Sequence, residues 1–418
     1  MRRWVRLALC VALAGVLLGY SSSSAATLEP HVFGSSPASM APSTPPVDTF
    51  TPMVASTLAP ATAPVLGTDG KYHVVYELVL TNAKGLPATL QKVEVLDGDN
   101  SSRVIITFDG DSILRRLFTL APTPATNADI EPNGSRLFFI ELAFDSRAQV
   151  PRSLLHHLYL LGAAGPAAKT ATPMDYTAAP LPLDRLRTPV IGPPLKGDGW
   201  VAINGCCAPE LVHRGSVQTV NGSLFDAQRF AIDWMRLDAQ GRFVHGDASD
   251  VRNYTDYGAD VIAVADGTVI DTLNTLDDQV PGKLPDPNSI TLQTVDGNHV
   301  VLDLGGGFYA FYAHMRKGSV TVKPGDKVKR GQVIGKLGNS GNTSAPHLHF
   351  HIVTGPSVLG SDGVPYVIDR FAMAGQVSVS QFNAAPDVTG VWDQNRLNPP
   401  SARTGQFPLN LNIINFPT

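Results

Sequence analysis

"GNSGNTSAPHLHFHIV", residues 338–353, ends with three histidines on alternate positions. Side chains of a β-strand alternate between faces, so His347, His349 and His351 would share one face of a strand. Three imidazoles on one apolar-flanked face are hard to explain as packing, and they raise the question of a metal. A hydrolytic zinc site takes three neutral or anionic protein ligands and keeps a fourth position open for water. A His-x-His pair on one strand suits that plan. One ring can ligate while its neighbour, on the same face, reaches over the water.

Outward from this stretch, the chain reads as all-β. It has 418 residues, too many for one small domain, and a hydrophobic fraction of 43%. Gly (38) and Pro (33) are abundant while charged residues make up only 16%, which with many short Val/Thr/Ile runs favours strands and turns. "YHVVYELVLTN" (72–82) sets Val74, Tyr76, Leu78 and Leu80 against His73, Val75, Glu77 and Val79. "KVEVLDGDN", "RVIITFDGD" and "RLFFIELAFD" follow between turn clusters, predicting a β-sandwich over 65–165. His156 and His157 are adjacent, point to opposite sides, and read as ordinary surface or domain-contact residues.

The start has the form of an export signal over 1–26: a basic "MRRWVR", the short apolar "LALCVALAGVLLGY" and small residues for cleavage. The apolar span is too short for a transmembrane anchor, so none is expected after cleavage. The expected location is secreted, periplasmic or otherwise in the cell envelope. Residues 27–64, rich in Pro, Ser, Thr and Ala, read as a flexible or extended leader, and 166–197 as a linker or an extended strand lying against both neighbours. A second β-rich domain is expected over 198–375, with a surface-wrapping C-terminal extension over 376–418. The net charge of −4 offers no basic field, so nucleic acid is not an expected partner. After the signal only Cys206 and Cys207 remain; they are adjacent and can form at most a vicinal disulfide.

"GNSGNTSAPHLHF", with an upstream "FYAHM" (311–315 within "YAFYAHM") and "VKPGDKVKRGQVIGKLG", resembles the lysostaphin-type zinc endopeptidases, the duplicated-hybrid-motif family that cuts peptide cross-links of peptidoglycan. The likeness covers roughly residues 198–355. It implies a curled, barrel-like antiparallel sheet, a Zn2+ cofactor, and a peptidoglycan or peptide substrate. By position it implies that His349 is a zinc ligand and that His347 and His314 are catalytic histidines beside the water. The family's other ligand pair, His-x-x-x-Asp, falls on "RFAID": Asp233 takes the carboxylate position, but Arg229 stands where the histidine should be. A guanidinium has no lone pair to give a metal.

Two readings follow. His213, in "CCAPELVHRGS", folds back to supply the missing imidazole, leaving Arg229 to orient Asp233 or bind a substrate carboxylate. Otherwise the site is a two-ligand remnant on a non-catalytic envelope-binding or activator module. Retention of Asp233, His314, His347 and His349 favours the first reading, because unpaired buried polar groups destabilise a core. A secreted general metalloprotease fits the same residues. His245 is a reserve ligand in an exposed loop, His299 is expected to face solvent, His351 to be a bystander, and Tyr312 to pack in the core.

Overall fold

The computed structural model describes residues 48–384, 389–392 and 394–418. The expected signal peptide, and the leader as far as residue 47, lie outside these residues.

The strand Tyr72–Asn82 alternates as its sequence demands. Val74, Tyr76, Leu78 and Leu80 enter the core of a β-sandwich. Antiparallel partners flank it, Met53–Thr57 on one side and Ser135–Phe144 on the other. The facing sheet runs Thr172–Pro182, Ser153–Gly162, Ala88–Asp97, Asn100–Asp109. Met53–Thr57, expected to be leader, is therefore a strand of this sandwich, and Thr172–Pro182 takes the strand alternative of the linker passage. Met53–Thr57 and Thr172–Pro182 each lie at a sheet edge, where proline costs no ladder hydrogen bond, and their Pro/Ala composition disguised them. His156 is another correction. It is fully buried, with Nε2 2.8 Å from the Tyr76 hydroxyl and Nδ1 2.8 Å from the Ala179 carbonyl. Only His157 faces outward, where it meets Asp175 at 2.7 Å.

The second unit is built on an eleven-stranded sheet among the described residues. Its path runs Val190–Ile191, Val367–Val377, Asn412–Phe416, Gly197–Ile203, Ile232–Arg236, Leu348–Val353, Phe308–Met315, Asn298–Gly305, Gly267–Leu273 and Lys327–Val328. The sheet curls but does not close into a barrel. Trp200, Ile232, Trp234, Tyr312, Leu348, Phe350 and Ile352 lie in its core. The expected surface-wrapping extension instead supplies two strands. Gln394–Gln406 pairs with Val367–Val377, and Asn412–Phe416 lies between that strand and Gly197–Ile203. "NIINF" is too short to show a period, yet it buries Ile413, Ile414 and Phe416. No helix among the described residues is long and apolar enough to cross a membrane.

The opposite face of Tyr72–Asn82 meets this second unit. Val75 joins its core beside Cys206, Cys207 and Phe230, while Phe118, Leu137 and Phe139 close over Val217. Cys206 and Cys207 are buried there and form a vicinal disulfide.

Candidate metal centre and active site

Strand register creates the centre of the site. Asp233 and His349 are direct cross-strand partners, and Ala313 faces His349 from the other side. Directly opposed side chains of neighbouring strands stand within contact range, so Asp233 Oδ1 lies 2.8 Å from His349 Nδ1. Leu348, Phe350 and Ile352 anchor the same strand in the core from its other face.

His314 reaches this face through an irregularity. Simple alternation would put it with Tyr312, whose hydroxyl accepts from Val264 N–H in the core. Instead the ladder slips between Val300↔Tyr312 and Asn298↔Met315, so two residues oppose one, and His314 takes a left-handed φ of 58°. A bulge of this kind re-aims a side chain. It brings the His314 ring to 4.7 Å from that of His347 and 5.9 Å from that of His349, centroid to centroid. The Asp296 carbonyl accepts the His314 backbone N–H at 2.7 Å and fixes the bulge.

His213 arrives from the turn-rich segment between the strands Gly197–Ile203 and Gln218–Val220. Its Nδ1–H donates to the Ala231 carbonyl at 3.0 Å, which leaves Nε2 facing Asp233 Oδ2 at 3.4 Å. The ring lies edge-on to His349, 4.8 Å between centroids. The expected triad His213, Asp233 and His349 is thus brought together, one ligand atom from each lying within 4.8 Å of the others. His314, His347 and His349 form an overlapping cluster at the same spacing. All five side chains are buried, between 3 and 6% exposed.

The donor set suits a metal ion. An imidazole ligand needs its other ring N–H occupied, so that a lone pair faces the ion. His213 meets this through Ala231, and His349 through His351, whose Nδ1 lies 2.9 Å from His349 Nε2. Asp233 adds a carboxylate, which burial alone would raise but which the neighbouring His213 and His347 rings hold well below the usual range. Two imidazoles and one carboxylate with inward lone pairs are a zinc-type set.

The catalytic candidates are fixed by backbone carbonyls. His347 Nδ1–H donates to Ala345 O at 2.8 Å, and His314 Nδ1–H to Ser340 O at 2.8 Å. His347 Nε2 then lies 3.3 Å from Asp233 Oδ1. Burial lowers its affinity for protons, yet the Asp233 charge raises His347 overall. Burial, then the His347 and His349 charges, push His314 well below the ordinary value.

Arg229 does not take either expected role. It neither orients Asp233 nor faces a substrate; it is 2% exposed and bound to Glu77 of the sandwich, with Nη2 2.6 Å from Oε2 and Nε 3.1 and 3.0 Å from the two oxygens. Its Nη1 donates to Gly363 O at 3.0 Å. His351 is no bystander on a surface. It is fully buried, stacked on its cross-strand partner Phe311, and hydrogen-bonded to His349. His299, expected to face solvent, is only 9% exposed and donates Nδ1–H to Gly297 O. His245 lies on an exposed loop and pairs with Asp238 at 2.8 Å, away from the cluster.

Sequence reasoning missed Asn204, whose side-chain amide donates to Asp233 Oδ2 at 2.8 Å, and the quartet Glu77, Arg214, Asp226 and Arg229. The first had no signal in the sequence. The second had one: Glu77 shares its strand face with His73, Val75 and Val79, a face too apolar to be left in water.

Residues 250–359 match the family model described as peptidase family M23. His314, His347 and His349 fall inside that interval, while His213, Arg229 and Asp233 precede it. The chain is 44% identical over 57 residues to peptidoglycan DD-endopeptidase ShyA of Vibrio cholerae, covering 14% of this chain and 13% of that protein. It is also 44% identical over 59 residues to the glycyl-glycine endopeptidase ALE-1 of Staphylococcus capitis, covering 14% of this chain and 16% of the relative. The chain thus spans only a small part of the length of these curated relatives. Among solved structures, the catalytic domain of lysostaphin from Staphylococcus simulans is similar at 22% identity, over 35% of this chain and 80% of that one, with a TM-score of 0.21. The chain carries a domain of peptidase family M23, the lysostaphin-type metallopeptidases, at residues 250–359.

Proposed function

We propose that the protein is an exported zinc endopeptidase that hydrolyses peptide bonds of peptidoglycan. The observation that carries this reading is the meeting of His213, Asp233 and His349 at ligand spacing, with the rings of His314 and His347 against them. A triad from three separate segments, each with its lone pairs turned inward, is an expensive arrangement for packing alone. The matched family and the names of the two peptidoglycan- and glycyl-glycine-cleaving relatives support the substrate class.

His213 through Nε2, Asp233 through its carboxylate and His349 through Nδ1 would hold the ion. Bound zinc supplies a Lewis acid that lowers the pKa of water and polarises the scissile carbonyl. His347 and His314 spend Nδ1–H on backbone carbonyls, so each in its neutral form offers a bare Nε2. One would take the proton of the attacking water as the new C–O bond forms. The other, protonated on Nε2, would donate to the developing oxyanion, and the proton taken from the water would leave on the amine as the C–N bond breaks.

The test is digestion of purified peptidoglycan by zinc-loaded protein, with casein in parallel. New amino termini in wall peptides, abolished by a chelator and restored by zinc, are expected. Cleavage of casein at a comparable rate would favour a general protease, and no cleavage of either would leave the non-catalytic module.

A further inference from the structure

We propose that Glu77 of the N-terminal sandwich is a positioning residue for the metal site, holding His213 in place through Arg214, so that zinc affinity depends on docking of the sandwich. This rests on the reading of His213 as a ligand.

Asp233 and His349 need no such help, since each sits in a strand paired on both sides. His213 stands on turns, Leu211 N–H to Ala208 O, Gly215 N–H to Leu211 O and Ser216 N–H to His213 O, with no ladder to fix it. Its own unit ties it through His213 Nδ1–H to Ala231 O and Arg214 Nε–H to Cys207 O, and the sandwich supplies further anchors. Arg214, the next residue, is 1% exposed and contacts Glu77 Oε1 through Nη1. Its Nη2 donates to Tyr76 O at 3.4 Å, and its guanidinium lies over the Phe139 ring at 5.0 Å. Three residues further on, Val217 packs among Phe118, Leu137 and Phe139. Tyr76, Glu77, Phe118, Leu137 and Phe139 all belong to the sandwich.

Charge adds to this anchor. Glu77 is the shared counter-ion of two buried guanidiniums, Arg214 and Arg229, with Asp226 at 3.2 and 3.6 Å from them. Removing one member of a buried ion network leaves uncompensated charge that must find water. Arg214 can do so by swinging its turn outward, and His213 goes with it.

The experiment measures zinc dissociation constants of the full chain by competition with a chromophoric chelator, for the parent, Glu77→Gln, His213→Ala and the double variant. Metal-free thermal melts are recorded alongside. Glu77→Gln should weaken zinc binding about 10- to 100-fold, the usual range for groups that orient a ligand, and the double variant should bind no more weakly than His213→Ala. Parent-like affinity in Glu77→Gln, with His213→Ala impaired, overturns the proposal while leaving the ligand assignment intact. Parent-like affinity in His213→Ala overturns the ligand assignment, and this proposal with it. Should Glu77→Gln fail to fold, Val217→Ala trims the same anchor without touching a charge. It should weaken zinc binding in a folded chain, and an unchanged constant there counts against the proposal.

Discussion

His351 Nδ1 lies 2.9 Å from His349 Nε2, on the side of the ring away from Asp233. Two acceptor nitrogens repel, so one of them must carry the proton. If His349 carries it on Nε2, its Nδ1 presents a lone pair toward Asp233 and His213, which is the form a metal ligand requires. His351→Phe keeps the stacking on Phe311 but removes the acceptor. Zinc titration should show affinity reduced about 10- to 100-fold, with metal-free thermal stability close to that of the parent. Unchanged affinity would separate His351 from the site.

His314 and His347 are each held by one backbone carbonyl and are not needed to complete the His213–Asp233–His349 set. His314→Ala and His347→Ala should therefore retain one zinc per chain while kcat on peptidoglycan falls about 10²- to 10⁴-fold, the usual worth of a general acid or base. Metal analysis alongside turnover checks this. Loss of zinc in either variant would make that histidine a ligand and not a proton carrier.

The parts of the molecule legible in the sequence are those with short-range signatures. Alternation placed Val74, Tyr76, Leu78 and Leu80 in a sandwich core, and the His-x-His spacing put His347 and His349 together at Asp233. What escaped depends on long-range register or on a second surface. Asp233 and His349 meet across 116 residues because two strands pair in one register. The His314 bulge is a local slip that no periodicity encodes. The apolar face around Glu77 signals that something covers it, but its partners Arg214 and Arg229 come from another domain. Arg229 looked anomalous at a ligand position because its partner lies 152 residues away.

Arg229 anchors the interface through Glu77, and the proposed metal ligands do not include it. Arg229→Met removes one of two guanidiniums facing Glu77 and should destabilise the folded chain by about 3–5 kcal/mol, the cost of breaking a buried pair from one side. Zinc bound at saturation should remain one per chain, because the proposed ligands are His213, Asp233 and His349 and do not include Arg229. Denaturant unfolding and metal analysis of the same preparation test both halves. A variant with parent stability, or one unable to hold zinc at saturation, would contradict this account of Arg229.

Acid should loosen the sandwich before it reaches the ion network. Burial pushes His156 down to about 4 in the folded chain from 6.5. Below pH 6.5 the unfolded chain takes up a proton that the folded chain refuses, so stability falls as pH drops from 6.5 to about 4. Glu77 acts lower. Burial alone would raise it, but Arg229 and Arg214 hold it at about 2, below its ordinary 4.5. Its contribution is complete above pH 4.5 and is lost as pH falls toward 2. Each step is on the order of 3 kcal/mol. In metal-free protein, His156→Gln should start less stable at pH 7, because Tyr76 loses its ring partner. Its deficit against the parent should then shrink by on the order of 3 kcal/mol by pH 4, since the variant has no imidazole to charge. Urea unfolding at half-unit pH intervals measures the difference. A deficit that stays constant from pH 7 to pH 4 would mean that His156 takes up its proton as readily in the fold as in the unfolded chain.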